Sequence, residues 1–168
     1  MELRLLSRSG YASLLRFEVE KRAWFESHIN PREASFYSVD GVKSHIEECL
    51  SQYQRKAMLP MLIVDGMGEI AGRINLTDIN LVLREAYLGY RLGEKFTGRG
   101  IAKRAVEQIT QLANELNLQT LIAFASVDNI ASQKVLAYNG FVKMKSHENF
   151  AEVQGENIDC IEYQKIVK

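Results

Sequence analysis

The sequence predicts an α/β (α+β) single domain, a mixed and mostly antiparallel central sheet flanked by helices. Three observations predict it. Apolar positions switch between period two and helical spacing in the order strand, helices, three strands, helix, strand, helix, two strands. A length of 168 residues suits one sizeable core. No linker, internal repeat or low-complexity stretch divides residues 1–168, so they read as one domain.

Each element has its own signal. Residues 2–6 alternate weakly and read as a first strand. Leu14, Leu15, Phe17 and Val19 give residues 7–21 a helical spacing. Residues 22–39 hold Trp24, Phe25, Pro31, Phe36 and Tyr37, and read as a short helix followed by a loop. Asp40 is an N-cap candidate for a helix to about residue 56, with Val42, Ile46, Cys49, Leu50 and Tyr53 on one face. Strands follow at 59–64, 69–76 and 85–92. Asp65-Gly66 signals the turn that makes the first two a hairpin, and 77–84 is the connection to the third. Residues 98–116 form the clearest helix, with Ile101, Ala105, Ile109, Leu112 and Leu116 at helical spacing. Residues 119–126 read as a buried strand, and 130–138 as a short helix stopped by Asn139-Gly140. The strands 141–145 and 158–166 close the chain as a hairpin.

Composition narrows the function classes. Apolar residues are 46% and charged residues 25%, and 21 Lys and Arg balance 21 Asp and Glu. This charge gives no reason to expect a nucleic acid or membrane partner. No apolar run approaches the roughly 20 residues of a membrane helix, and the N-terminal MELRLLSRSG lacks the apolar stretch of a signal peptide. Cys49 and Cys160 are too few for a disulfide framework, and His28, His45 and His147 show no metal-ligand spacing. The expectation is a reduced, cytoplasmic, metal-free protein, monomeric or homodimeric.

The informative stretch runs from Tyr87 to Phe141. A strand leads into a glycine-bearing loop, Lys95 to Gly100, that opens directly onto the best helix. Such a junction presents unpaired backbone N–H groups and the positive end of the helix dipole, which together favour a phosphate. Gly98 and Gly100 let backbone approach a ligand closely, and Lys95, Arg99, Lys103 and Arg104 add positive charge. It is neither a Walker loop nor a dinucleotide fingerprint, because GxxxxGK and the third glycine are missing.

On these residues the chain resembles the GNAT superfamily of N-acetyltransferases, and within it the RimJ/RimL group. The family's coenzyme A loop reads Gln/Arg-x-x-Gly-x-Gly/Ala; here it is Thr97-Gly98-Arg99-Gly100-Ile101-Ala102, with Gly100 and Ala102 matching and Thr97 departing. A second block, DNIASQKVLAYNGF, is similar to the group's NxxSxxVLxxxGF through Asn129, Ser132, Val135, Leu136, Gly140 and Phe141. The resemblance is specific over residues 72–141.

The resemblance implies acetyl-CoA as donor, no metal, and a primary amine as acceptor. The acceptor would be a protein N-terminal α-amine of the ribosomal-protein type. A small-molecule amine acetyltransferase and a non-catalytic acyl-CoA-binding module are the alternatives. It also implies that the strand ending at Leu92 splays from the strand 119–126. The pantetheine arm would lie along the backbone of Tyr90, Arg91 and Leu92, with an N–H near Leu92 on the thioester carbonyl. The pyrophosphate would sit on the amides of residues 97–102. Ser132 is the candidate acid for the leaving thiolate, and Asn129 anchors pantetheine or orders the helix start. Many GNAT enzymes carry a tyrosine where this chain has Leu136; Tyr138 is out of register and reads as packing. Glu148 is the candidate base, with a water chain as the alternative. Tyr90 and Asn75 are expected to line the amine pocket, beside the aromatic residues Trp24, Phe25, Phe36 and Tyr37.

Overall fold

The computed structural model describes residues 1–167. The chain runs β1 (Glu2–Leu5), α1 (Tyr11–Glu20), α2 (Arg22–Glu26), α3 (Val39–Gln54), β2 (Leu59–Val64), β3 (Ile70–Asn80) and β4 (Glu85–Leu92). It continues through α4 (Ile101–Glu115), β5 (Thr120–Ser126), α5 (Ile130–Tyr138), β6 (Val142–Val153) and β7 (Glu156–Ile166). The seven strands form one sheet in the order β1-β2-β3-β4-β5-β7-β6, antiparallel except for the parallel pair β4–β5. This is the α/β fold class expected from the sequence.

Helices cover both faces. Ile101, Ala105, Val106, Ile109 and Ala113 of α4 pack with Ile74, Leu76, Ala86, Leu88, Leu121 and Ala123 of the central strands. On the other face α1, α2 and α3 bring together Leu14, Phe17, Phe25, Val42, Ile46, Cys49 and Leu50. Each Leu, Ile, Val or Phe side chain among them, taken out of water, contributes about 1.5–3 kcal/mol. Cys49 and Cys160 are buried and free.

Several expected boundaries need correction. The cap of α3 is Ser38, not Asp40: Ser38 Oγ accepts the Gly41 N–H at 3.0 Å, and Asp40 stands in the first turn. α4 begins at Ile101, not residue 98, because Gly98 and Gly100 hold φ of 70° and 72° and stay outside the helix. Leu116 is its C-cap and 40% exposed, so it does not extend the apolar face. β3 runs four residues past the expected end. It passes an irregularity between Thr77 and Asn80, and the turn closes on Asn80 Oδ1, which accepts the amides of Val82 and Leu83. The last hairpin is much longer than its apolar pattern predicts. β6 is exposed along most of its length and carries two register shifts, which erase the alternation a sequence would show.

Among the described residues, no helix is long and apolar enough to cross a membrane.

Candidate active site at the strand fork

The site begins with a fork. β4 and β5 pair in parallel only from Glu85–Thr120 to Leu88–Ala123, yet β4 continues to Leu92 and β5 to Ser126. On its other edge β4 stays paired with β3 to the end, Leu92 opposite Gly72, and Gly93 N–H donates to Ala71 O at 2.8 Å. Antiparallel pairing alternates, so the backbone groups of Arg91 face β3 and those of Tyr90 and Leu92 face the fork. Gly72 permits this: a Cβ there would lie 2.2 Å from Arg91 O. Trp24 of α2 reaches over the fork, its Nε1–H donating to Leu92 O at 2.9 Å.

Beyond the fork comes the loop into α4. Phe96 is buried and anchors it, and Thr97 Oγ1 donates to Glu94 O at 2.8 Å. Past the Thr97 amide, which donates to Glu94 O, the next loop or cap amide with a backbone partner is Arg104, bonded to Gly100 O at 3.2 Å. Thr97, Gly98, Arg99 and Gly100 are exposed, while Ile101 and Ala102 are buried and fix the helix end. A Cβ built on Gly98 or Gly100 would meet nothing within 4 Å. The result is an open cradle of amides at the positive end of a four-turn helix. Lys95, expected to add charge here, is paired with Glu69.

Across the fork, Asn129 caps α5: its Oδ1 accepts the Ser132 N–H at 3.0 Å. Gln133 Nε2 donates to Ser126 O at 3.1 Å and Val127 O at 2.9 Å, fastening α5 to the end of β5. Tyr90 O–H donates to Ser132 Oγ at 3.3 Å, spanning the fork. Burial raises the Tyr90 phenol above its ordinary range, against the Ser132 hydrogen bond. The structure thus joins Tyr90 and Ser132, and commits the Asn129 side chain to the helix cap. Tyr138, expected to pack inside, is 68% exposed, with the Lys103 ammonium 4.3 Å from its ring centroid.

Glu148 lies exposed between two irregularly paired segments of β6. Its neighbour His147 is half-buried, and His147 Nε2 bonds Glu162 Oε2 at 2.6 Å. That bond, with a second from Gln164 Nε2, lowers the Glu162 carboxyl. Phe124 stacks between Tyr87 and Phe150 beside this pair. The tip of the hairpin leans back onto α2, where Gln154 Nε2 donates to Glu26 O at 3.1 Å.

The sequence reading missed a second set. Glu18 of α1, 1% exposed, takes Arg73 Nη1 at 3.1 Å and also Arg91. Burial pulls the Arg91 guanidinium down to about 10, with Glu18 opposing. These residues lie 55 and 73 positions apart, and no local pattern links them. The signal available was a glutamate on the apolar side of a helix, and arginines inside otherwise apolar strands. Asn75 lies on β3 directly opposite Gly89 of β4. No group of three or more His, Cys, Asp or Glu side chains converges on a metal site among the described residues.

The chain matches the family described as "Acetyltransferase (GNAT) domain" over residues 1–142. It is similar to the probable N-acetyltransferase YjcK of Bacillus subtilis (strain 168), 28% identical over 132 residues, 77% of this chain and 73% of that protein. Among solved structures it is similar to the ribosomal-protein-S5-alanine acetyltransferase from Vibrio fischeri. There the TM-score is 0.92 at 24% identity, over 99% of this chain and 92% of the other. RimL, a ribosomal L7/L12 α-N-protein acetyltransferase solved in complex with coenzyme A, gives 0.89 at 24%, over 98% and 93%.

Proposed function

The chain belongs to the GNAT acetyltransferase family and is an N-acetyltransferase that uses acetyl-CoA; from that premise we propose that its acceptor is the α-amine at a protein N-terminus, of the ribosomal-protein type. The observation that carries the reading is the fork, where open β4 backbone, the amide cradle of α4 and the Tyr90–Ser132 bond meet. The residues fit coenzyme A. The cradle at residues 97–102 has free amides from Gly98 onward and positive-φ glycines for a pyrophosphate. The fork-facing backbone of Tyr90 and the Leu92 N–H, next to Arg91, suit the amides of a pantetheine arm, while Trp24 holds Leu92 O.

The donor supplies an activated acetyl group; the chain supplies positions and protons. The Leu92 N–H, facing the fork, is aimed at the thioester carbonyl, where charge develops. Ser132 delivers a proton to the departing sulfur and takes one from the Tyr90 hydroxyl through their hydrogen bond, and solvent entering the open fork returns a proton to Tyr90 before the next turnover. An α-amine has a pKa of about 7.7–8, so much of it is already neutral near pH 8 and needs only a modest base. Glu148 takes that proton through bound water, since its side chain stands in solvent. Asn129 acts by holding Ser132, through the cap hydrogen bond.

The acceptor class has support in the similar proteins: two of them act on ribosomal proteins by name, and one of these is named an α-N-protein acetyltransferase. Thiol release from acetyl-CoA, measured with free and N-acetylated peptides and with polyamines, tests it. Turnover with free peptides alone is the expected result. Turnover with polyamines alone would move the acceptor to small molecules, and none at all, despite coenzyme A binding, would leave a binding module.

A further inference from the structure

Among the described residues, three buried side-chain polar atoms have no hydrogen-bond partner: Arg32 Nε, Arg73 Nε and Asn75 Oδ1. Two of them stand on one face of β3, and the third lies within electrostatic range of that face. Arg73 and Asn75 are two apart on β3 and project from the same face. Across the ladder they meet Arg91 and Gly89. A Cβ on Gly89 would touch nothing within 4 Å, so the face is open beside Asn75. Arg32 comes from the segment between α2 and α3 and lies close enough to feel both Glu18 and Arg73.

The charges do not balance. Glu18 is shared by Arg73 and Arg91, while no carboxylate pairs with Arg32 among the described residues. Three guanidinium groups thus face one carboxylate. Leaving a half-buried cation without a partner is costly, and a bound anion removes the cost. Two of the three are already held in position: Arg32 lies 4.3 Å over the Phe36 ring and Arg91 4.5 Å over Phe25. Stacking fixes the planes and leaves edges free for bidentate contacts, which suit a planar carboxylate. The unpaired Asn75 Oδ1 asks for a donor beside that anion, as an ammonium or amide N–H would provide.

We propose that Arg32, Arg73 and Arg91, with Asn75, form a carboxylate-reading subsite, so that the acetylated amine belongs to a molecule with a carboxylate a few bonds away. Two sources carry this chemistry: an acidic residue in the first positions of a peptide, and a free acidic amino acid. The inference rests on the acetyl-transfer reading above and names its acceptor more closely. Arg91 sits between Tyr90 and Leu92, which places the subsite next to the fork.

The test compares acid and amide. Peptides beginning Ser-Glu and Ser-Gln form one arm, and free glutamate and glutamine the other. The acidic member should have kcat/KM at least about tenfold higher in one arm, which identifies the source. That is the weight of one charged hydrogen bond. Arg32→Gln should bring the ratio close to one, and Arg32→Lys should restore part of it. A second readout is independent of turnover: calorimetry of N-acetylglutamate against N-acetylglutamine in the presence of coenzyme A. The acid should bind about tenfold tighter to the parent protein and within about threefold of the amide in Arg32→Gln. Acid preference in binding without any turnover would leave the subsite standing and sink acetyl transfer. Turnover with no acid preference in either readout, or a preference unchanged in Arg32→Gln, would overturn the subsite alone.

Discussion

Ser132 carries the sharpest expectation at the scale of single residues. Its hydroxyl accepts from the Tyr90 hydroxyl 3.3 Å away, and its backbone N–H is held by the Asn129 cap. If it protonates the departing sulfur, Ser132→Ala should lower kcat by about 10²-fold while the KM for acetyl-CoA moves little. Stopped-flow thiol release at saturating acetyl-CoA measures this, and parent-like turnover would leave water as the donor. Tyr90→Phe should produce a smaller loss of the same kind. If Glu148 takes the amine proton, Glu148→Gln should lower kcat/KM about tenfold or more. A change within about a factor of two, the usual size for a surface carboxylate, would remove Glu148 from the chemistry. The half-buried His147, already paired with Glu162, would then be the next group on the hairpin to substitute.

At the scale of elements, the junction into α4 is the part most exposed to a single change. Gly100→Asp sets a carboxylate beside the amide cradle. A side chain there meets no atom within 4 Å, and aspartate tolerates the 72° φ better than most residues. The fold should therefore survive, with a cost near 1 kcal/mol, while acetyl-CoA affinity collapses. Calorimetry showing parent affinity would refute the cradle as the pyrophosphate site. The same junction was legible in the sequence, because a strand, two glycines and a helix at strict spacing are local facts. So was the Asn129 to Ser132 cap, three residues apart on one turn. The Glu18–Arg73–Arg91 set was not, since it exists only after α1 docks on β3 and β4. The length of β6 and β7 was hidden too, because both shifts in their register scramble the inward and outward positions. α3 adds a test of the buried positive field. His45 is held down to about 3 by burial and then by Arg73, Arg32 and Arg91. Its unfolded value is about 6.5, so the unfolded chain binds the extra proton across that interval. Stability should fall as pH drops from 6.5 toward 3. In His45→Asn, urea midpoints across the same range should fall less steeply than in the parent; identical slopes would refute the shift.

At the scale of the whole molecule, the two helical layers meet through the β3–β4–β5 centre, so a ligand lodged in the fork should stabilise the fold as a unit. At 100 times its Kd, acetyl-CoA adds about 2.7 kcal/mol, which for a chain of this size is a rise of roughly 5–10 °C in melting temperature. Scanning calorimetry should record it for acetyl-CoA and coenzyme A and not for NAD; a shift with NAD alone would point to a different ligand class. The contact between the hairpin tip and α2 joins two segments more than a hundred residues apart in the chain through one exposed side-chain hydrogen bond, from Gln154 to Glu26. A bond of this kind is worth about 0.5–1.5 kcal/mol, so the tie between the last hairpin and α2 yields long before the sheet it leans over.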